Sequence, residues 1–341
     1  MVKIAILGSG SIGCYLGAHL LQAEQNVYFF GRKRMQKELQ ECGLHISNLY
    51  GQSFAIPAAQ IQYETDLTQL AEADIYLITV KSQDTESLLQ DLRKCSFAWE
   101  KKVFISFQNG TRNPTTIRHI FPESICLPAS VPYNVLSSGN GRFHCGTSGQ
   151  LLIQQLPQIS DTILQIFRRS KLAMKTHPNM QGVLWGKLIF NINNSLNAIA
   201  GIPLREELEN RRFRLLLAKL MQESLAVLKR AKIQTVSLGT MIPWLAPHIL
   251  SLPDFLFFRV ASSMLQIDRQ ARSSMWEDLQ RQRKTEIDYL NGEIVELGKR
   301  LSYPTPYNNM VISLIREAEE KRKGSPKLGA DAIWEKFTTT P

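Results

Sequence analysis

Apolar runs and amphipathic stretches alternate through the first half of the chain. Short apolar runs at residues 3–7, 27–30, 73–80 and 103–107 each stop at glycine, lysine or glutamine, which predicts buried strands. Helical spacing of apolar residues fills the intervals. This alternation predicts a parallel, doubly wound sheet, in which ligands bind beyond the carboxyl ends of the strands. Shorter strands are predicted at residues 44–47 and 53–56 and on either side of Gly139-Asn140-Gly141.

The pattern changes near residue 178. A last strand is predicted at residues 172–176, and His177-Pro178 interrupts the chain after it. Beyond it, apolar residues recur at helical spacing at residues 181–200, 205–231, 255–265, 282–301 and 308–321. We therefore predict an α/β protein with two domains, a doubly wound sheet over residues 1–178 and an all-α domain over residues 179–341.

A glycine-rich turn joins the first predicted strand to the first predicted helix. It has the GxGxxG spacing, formed by Gly8, Ser9, Gly10, Ser11, Ile12 and Gly13. In a dinucleotide site the first glycine permits a tight turn, the second lets the pyrophosphate approach, and the third lets helix and strand pack closely. The strand before it and the helix after it favour a Rossmann-type dinucleotide-binding domain over a glycine-rich turn in an unrelated α/β protein.

The residues after the second strand indicate which dinucleotide binds. An NAD site usually has an acidic residue there, which accepts a hydrogen bond from the ribose hydroxyl. This chain has Gly31-Arg32-Lys33-Arg34 and no acid before Glu38. A guanidinium binds a phosphate through two hydrogen bonds. We therefore predict NADP(H), with Arg32 as the first contact; the alternative is a set of solvated charges that open a helix.

Two further polar residues follow predicted strands. Lys81 comes after the strand at residues 73–80, and Asn109 follows the strand at residues 103–107. Both positions belong to the edge of the sheet where ligands bind. Lys81 is a candidate for the cofactor phosphate or ribose, and Asn109 for the cofactor or substrate. The alternatives are an exposed lysine at a helix start and an ordinary Asn-Gly turn.

The second half carries a lysine on a largely apolar helix. Lys187 and Asn191 are four residues apart and share a helix face. A lysine there is costly unless a partner or a cleft receives it. Glu286, in a stretch with helical spacing, is a candidate partner. The alternatives are a lysine whose ammonium reaches solvent, amides that bond neighbouring helices, and a surface glutamate.

Composition and charge narrow the class of protein. The formal net charge is +10, but the basic residues are scattered, so attraction of an anionic cofactor and a carboxylate substrate explains them without nucleic acid. Three prolines interrupt the apolar stretch at residues 241–258, which argues against a membrane span. The five cysteines show no metal-binding spacing and fit reduced thiols in a cytosolic protein.

The chain resembles the ketopantoate reductases (2-dehydropantoate 2-reductases) along nearly its whole length. The ordered motifs that carry the resemblance are GSGSIG, VKSQ, QNG, WGKLIFN, SSMWEDLQRQRKTEIDYLNG and PTPYNN. The resemblance implies that Lys187 is the catalytic lysine, which protonates the substrate carbonyl oxygen. It also implies roles for the other residues: Glu286 beside the ribose and the catalytic centre, Asn109 between cofactor and substrate, Asn191 on the substrate, Ser274 on its carboxylate, and Arg32 and Lys81 on NADP.

One position departs from the family pattern. The family commonly has a second asparagine eight residues after the lysine, where this chain has Ser195. Ser195 could bond a substrate hydroxyl, or Asn194 or Asn197 could replace it. The resemblance implies cytoplasmic NADPH-dependent reduction of 2-dehydropantoate to (R)-pantoate, in pantothenate biosynthesis, without a metal; it leaves a homodimer open. The alternatives are a reductase of another 2-keto acid or an imine, and a non-catalytic NADP-binding sensor.

Overall fold

The computed structural model describes residues 2–95, 98–237, 242–261 and 270–339. The chain divides into two units, Met1–Met180 and Gln181–Pro341. The first unit contains the strands and the second is helical. The α/β class predicted from the sequence, with a Rossmann-type sheet followed by helices, is therefore confirmed.

Twelve strands of the first unit form two sheets. They are β1 (Lys3–Leu7), β2 (Asn26–Phe30), β3 (Leu44–Asn48), β4 (Ser53–Ile56), β5 (Gln62–Glu64), β6 (Ile75–Ile78), β7 (Val103–Ser106), β8 (Ile125–Ser130), β9 (Val135–Gly139), β10 (Arg142–Cys145), β11 (Leu151–Gln154) and β12 (Met174–His177). The larger sheet has the order β12-β11-β8-β7-β6-β1-β2-β5. Its strands from β8 to β5 are parallel, while β11 pairs antiparallel to β8.

Strand β1 lies at the point where the strand order reverses. It pairs with β2 on one side and with β6 on the other, so the chain leaves β1 in one direction and later returns to its opposite edge. Alternate residues of β1 belong to different cores, with Ile4 and Ile6 on one face and Ala5 and Leu7 on the other. Burial on both faces explains why this strand is a continuous apolar run.

Five helices of the first unit connect these strands: α1 (Ser11–Gln22), α2 (Lys33–Cys42), α3 (Thr85–Arg93), α4 (Asn113–Ile120) and α5 (Ile159–Arg169). The smaller sheet has the order β4-β3-β10-β9 and packs against α1. Its β9–β10 hairpin turns through Gly139, Asn140 and Gly141, all with positive φ. The strands and the hairpin were predicted, but their assembly into a separate sheet was not.

The described part of the second half contains ten helices: α6 (Met180–Asn191), α7 (Asn193–Ala200), α8 (Leu204–Glu209), α9 (Arg211–Arg230), α10 (Ala246–Ser251), α11 (Asp254–Val260), α12 (Ser274–Gln280), α13 (Asn291–Arg300), α14 (Pro306–Lys321) and α15 (Ala330–Thr339). One apolar core includes residues from α6, α9, α13, α14 and α15. Helix α15 belongs to a tail whose role the sequence did not indicate.

Three predicted helices of this half were wrong in extent. The stretch 181–200 is divided at Ile192, whose carbonyl accepts the Ser195 hydroxyl at 2.8 Å. The stretch 205–231 is divided at Asn210, whose side chain accepts the backbone N–H of Arg212 and so starts a new helix. In 282–301 the helix begins only at Asn291, after a 3-10 turn. Of the predicted helix 255–265, residues 262–265 lie outside the described residues.

Candidate active site

The glycine turn leaves an open position between two crowded ones. A Cβ on Gly13 would lie 2.0 Å from the carbonyl oxygen of Gly8, and one on Gly8 would lie 2.5 Å from the backbone nitrogen of Val80. Gly8 also has a φ of +118°, a backbone angle that residues other than glycine rarely adopt. A Cβ on Gly10 would meet nothing within 4 Å. Gly8 and Gly13 therefore permit the packing, while Gly10 keeps an approach to the backbone clear.

The start of helix α1 suits a phosphate group. Gly10 is the residue before the helix, and no side chain caps the helix N-terminus. The backbone N–H groups of the first turn carry partial positive charge and attract anions. The turn follows β1 at the reversal of strand order, the usual position of a dinucleotide in such sheets. These residues fit the pyrophosphate of a dinucleotide.

The structure gives a physical reason for the missing acid after β2. A Cβ on Gly31 would lie 2.5 Å from the Tyr63 hydroxyl oxygen and 2.7 Å from Ser9 Oγ. Ser9 donates to the carbonyl of Phe30 at 2.7 Å, which keeps this corner filled. An acidic side chain at position 31 would need these groups to move, so the position favours glycine.

Arg32 is the first of three exposed basic residues after β2. Its side chain is 84% exposed, and its Nη2 lies 4.0 Å from Asp84 Oδ2. It precedes helix α2 with extended backbone angles. The guanidinium is therefore available to an anion, in competition with one neighbouring carboxylate.

A buried polar network lies behind the loops of Lys81 and Asn109. Ser82 donates to the Asn109 carbonyl at 2.9 Å, and Asn113 donates to the same carbonyl at 2.7 Å. Gln108 donates to the Val80 carbonyl at 2.9 Å. Four members of the network are at most 5% exposed: Ser82, Thr85, Gln108 and Asn113. These bonds fix two loops of the predicted site, and sequence reasoning did not identify the network.

Lys187 lies on α6 and is half-buried. Its neighbour Gly186 has no room for a side chain, because a Cβ there would lie 2.3 Å from the Val236 carbonyl oxygen. Burial lowers the pKa of Lys187 to about 8, and the Glu286 carboxylate opposes this by favouring the charged form. Glu286 is half-buried and precedes the 3-10 turn Ile287–Tyr289 rather than lying within a helix. The two residues interact electrostatically although their sequence positions are distant.

The predicted substrate-binding residues have different surroundings. Asn191 is half-buried at the end of α6, and Ser274 is exposed at the first position of α12. Ser195 is 0% exposed, and its hydroxyl donates to the carbonyl of Ile192, the residue before α7. Asn194 is half-buried. Ser195 therefore needs a structural change to reach a ligand, whereas Asn191 and Ser274 are at least partly accessible.

A buried carboxyl group lies in the same helical unit. Glu207 on α8 is 1% exposed, and Asn197 donates to it at 2.6 Å. Burial raises its pKa to about 8, although the nearby amides of Asn197 and Asn193 act in the opposite direction. Sequence reasoning missed this residue, because Glu206, Glu207 and Glu209 together look like an exposed acidic turn.

Other site types have little support in the described residues. They contain no group of three or more His, Cys, Asp or Glu side chains arranged to hold a metal ion. None of the helices described is both long and apolar enough to cross a membrane. All five cysteines are free thiols, and two of them, Cys14 and Cys145, are buried.

The glycine turn at the reversal of strand order in a doubly wound sheet indicates a Rossmann-type dinucleotide-binding unit, which a helical unit follows in the chain. Two sequence models of one family match: ketopantoate reductase PanE/ApbA over residues 4–158, and ketopantoate reductase PanE/ApbA C terminal over residues 179–319. Together they cover most of the sequence. The chain therefore belongs to the ketopantoate reductase family, as its motifs predicted.

Individual relatives agree with the family models. The 2-dehydropantoate 2-reductase of Pyrococcus abyssi is 27% identical over 331 residues, which is 94% of this chain and all of the relative. A PanE/ApbA family ketopantoate reductase from Ralstonia eutropha JMP134 has a similar structure, with a TM-score of 0.81, 27% identity and coverage of 94% and 100% of the two chains. D-mandelate dehydrogenase with NADH and anilino(oxo)acetate has a TM-score of 0.78, 21% identity and coverage of 94% and 99%, which indicates a shared fold.

Proposed function

We propose that this protein reduces 2-dehydropantoate to (R)-pantoate with NADPH, as a cytoplasmic enzyme of pantothenate biosynthesis. The observation that carries the proposal is Lys187, whose pKa burial lowers to about 8 beside the Glu286 carboxylate. An ammonium with a pKa near the working pH is a good general acid. Membership of the ketopantoate reductase family supports the same reaction.

NADPH is the proposed cofactor, and it supplies a hydride to the carbonyl carbon of the substrate. Gly8, Ser9, Gly10, Ser11, Ile12 and Gly13 would hold its pyrophosphate against the start of α1. Arg32 would bind the 2′-phosphate, because its guanidinium is exposed and an acidic residue at position 31 is sterically disfavoured. Lys81, Asn109 and Glu286 would bind the rest of the cofactor, and Asn109 would also contact the substrate.

The chain's own residues would then stabilise the charge that develops on the substrate oxygen. The Lys187 ammonium donates a proton to that oxygen, while Glu286 keeps the ammonium charged beforehand. Asn191 would hold the substrate by its amide, and Ser274 would bind the substrate carboxylate. Ser195 stays a prediction as a substrate contact, since its hydroxyl already bonds the Ile192 carbonyl.

A second candidate is a reductase of another 2-keto acid. Two points favour it: this chain has Ser195 where the family resemblance implies asparagine, and the fold is shared with a D-mandelate dehydrogenase bound to NADH. Both would leave the reaction class and the role of Lys187 unchanged. They affect only the substrate side chain and the choice between NADPH and NADH.

The test is oxidation of the reduced cofactor by the purified protein, which is measured as the loss of reduced-nicotinamide absorbance. 2-Dehydropantoate, shorter 2-keto acids and an aromatic 2-keto acid are each compared with NADPH and NADH. We expect the highest kcat/KM for 2-dehydropantoate with NADPH. A tenfold higher kcat/KM for another 2-keto acid would identify that acid as the substrate in place of 2-dehydropantoate. NADPH binding without turnover of any of these acids would instead favour a non-catalytic NADP-binding sensor.

A further inference from the structure

The buried carboxyl of Glu207 is connected to the loop that carries Ser274. Asn197 donates to Glu207 Oε2 at 2.6 Å and to the Ile202 carbonyl at 3.0 Å. The same amide accepts the backbone N–H of Ser273 at 2.9 Å. Asn197 is 0% exposed, so its side chain bonds these protein groups rather than solvent. A single buried amide thus connects α8 to the residue preceding Ser274.

Two buried oxygen atoms at this cluster lack a donor among the described residues. They are Glu207 Oε1 and Asn193 Oδ1. The Asn193 side chain is close enough to the Glu207 carboxyl to affect its pKa. An ionised carboxylate would leave both acceptors unsatisfied, whereas a proton on Glu207 supplies the one donor that both need. The geometry therefore favours a neutral carboxylic acid, in agreement with the burial that raises the pKa of Glu207 to about 8.

Nearby charged groups do not replace that proton. Three arginines of α8, of the adjacent α9 and of the segment before α12 have other partners: Arg205 with Glu209, Arg214 with Asp254, and Arg272 with the Gly201 carbonyl. These three guanidinium groups are therefore not the partners of the Glu207 carboxyl.

The link determines how α12 begins. The Ser273 hydroxyl accepts the N–H of Trp276 at 3.1 Å and donates to the Asn194 carbonyl at 2.9 Å, so Ser273 caps α12. Ser274 is the next residue and the first of the helix. Any shift of the Ser273 backbone would move the Ser274 hydroxyl with it.

We propose that Glu207 is a positioning residue: as a neutral acid between Asn193 and Asn197, it holds Asn197 in the orientation that fixes Ser273 and aims Ser274 at the substrate carboxylate. The contact between Ser274 and the substrate carboxylate rests on the proposed function. The link from Glu207 through Asn197 to Ser273 concerns only the folded chain and can be tested without substrate.

The activity test compares Glu207→Ala with Glu207→Gln. Glutamine has the shape of the neutral acid and can donate to Asn193 while accepting from Asn197. We expect E207A to raise the KM for the 2-keto acid tenfold or more, with the KM for NADPH within twofold, and E207Q to restore it. Glu223→Ala is the matched control, because Glu223 is a buried acid bonded to Asn308 in the same unit. An unchanged keto-acid KM in E207A, or an equal rise in E223A, would overturn the positioning role.

Two measurements separate this inference from the proposed function. Hydrogen exchange at the Ser273 amide should accelerate at least tenfold in E207A and remain protected in E207Q. The unfolding equilibrium constant of the wild type, relative to E207Q, should rise by up to about tenfold per pH unit between about pH 5 and 8, because the folded state retains a proton that the unfolded state releases. Unchanged exchange or equal pH profiles would overturn the inference even in an active enzyme. Conversely, both results with no turnover would reject only the proposed reaction.

Discussion

Lys187 is subject to two opposing effects whose balance sets its chemistry. Transfer of an ammonium from water into a half-buried site favours the neutral amine, while the Glu286 carboxylate favours the ammonium. The resulting pKa of about 8 leaves most of the lysine charged at neutral pH and ready to give up its proton. An exposed lysine, with its ordinary pKa of 10.5, would be a weaker acid.

Replacement of Lys187 by alanine should remove the proton donor. We expect kcat to fall by about 10²–10⁴, the usual scale for a general acid, with little change in the Kd for NADPH. Steady-state kinetics and fluorescence titration measure the two quantities. Lys229→Ala, at an exposed position of α9, is the control. A near-native kcat in K187A would remove Lys187 from the mechanism.

Glu286→Gln should change the pH profile. Since the carboxylate raises the pKa of Lys187, its loss should lower that pKa further. The reduction needs the ammonium, so the alkaline fall in kcat/KM should begin at lower pH. A set of kcat/KM measurements across the pH range checks this, with Glu317→Gln as an exposed control that pairs with Lys321. Identical alkaline limbs in wild type and E286Q would contradict the assigned coupling.

At the scale of elements, substitutions in the glycine turn distinguish an effect on stability from an effect on cofactor binding. Gly13→Ala places a methyl group 2.0 Å from a backbone oxygen, so the turn must deform and both stability and NADPH affinity should fall. Gly10→Ala meets nothing in the protein and should leave the Tm within about 2 °C. Its methyl group would nevertheless occupy the approach of the pyrophosphate, and the Kd for NADPH should rise at least tenfold. Thermal melting and NADPH titration distinguish the variants; tight NADPH binding by G10A would exclude the glycine turn as the phosphate site.

Elements with a strong local signal were predictable from the sequence. β1 and the start of α1 follow from an apolar run, a glycine turn and helical spacing, all within about twenty residues. The break at Ile192 was not predictable, because apolar residues continue at helical spacing through it. Only the structure shows that the Ser195 hydroxyl competes with backbone N–H groups for the Ile192 carbonyl. Glu286 was assigned to a helix for the same reason: periodicity cannot distinguish a 3-10 turn followed by a helix from one continuous helix.

Parts of the candidate site depend on contacts between distant residues and were hidden for that reason. Lys187 was recognisable, because a lysine among apolar helix residues is unusual. Glu207 was not, since its burial results from Asn197 and the packing of α8 rather than from neighbouring sequence. The network around Gln108 likewise joins two loops that follow different strands. Its side chains become partners only when the parallel sheet brings those loops together.

At the scale of the whole molecule, charge is the property that no single residue explains. The chain has 40 lysine and arginine residues against 30 acidic ones, giving a formal net charge of +10. Many acidic residues are exposed and paired locally, as in Lys37–Glu41 and Lys321–Glu317, and exposed pairs of this type contribute little to stability. The excess positive charge instead creates a field that attracts anions over distances longer than a contact.

That field predicts how salt should act on the proposed reaction. A rise in ionic strength from about 0.01 M to about 0.15 M shortens the screening length from about 30 Å to about 8 Å. The KM should increase roughly threefold or more for NADPH and by a smaller factor for the singly charged keto acid, with kcat little changed. Arg32→Gln distinguishes local from long-range attraction: it should raise the KM for NADPH at every salt concentration yet retain most of the salt dependence, because a charge of +9 remains. If R32Q abolished the salt dependence, the effect would belong to one contact rather than to the molecule's overall charge.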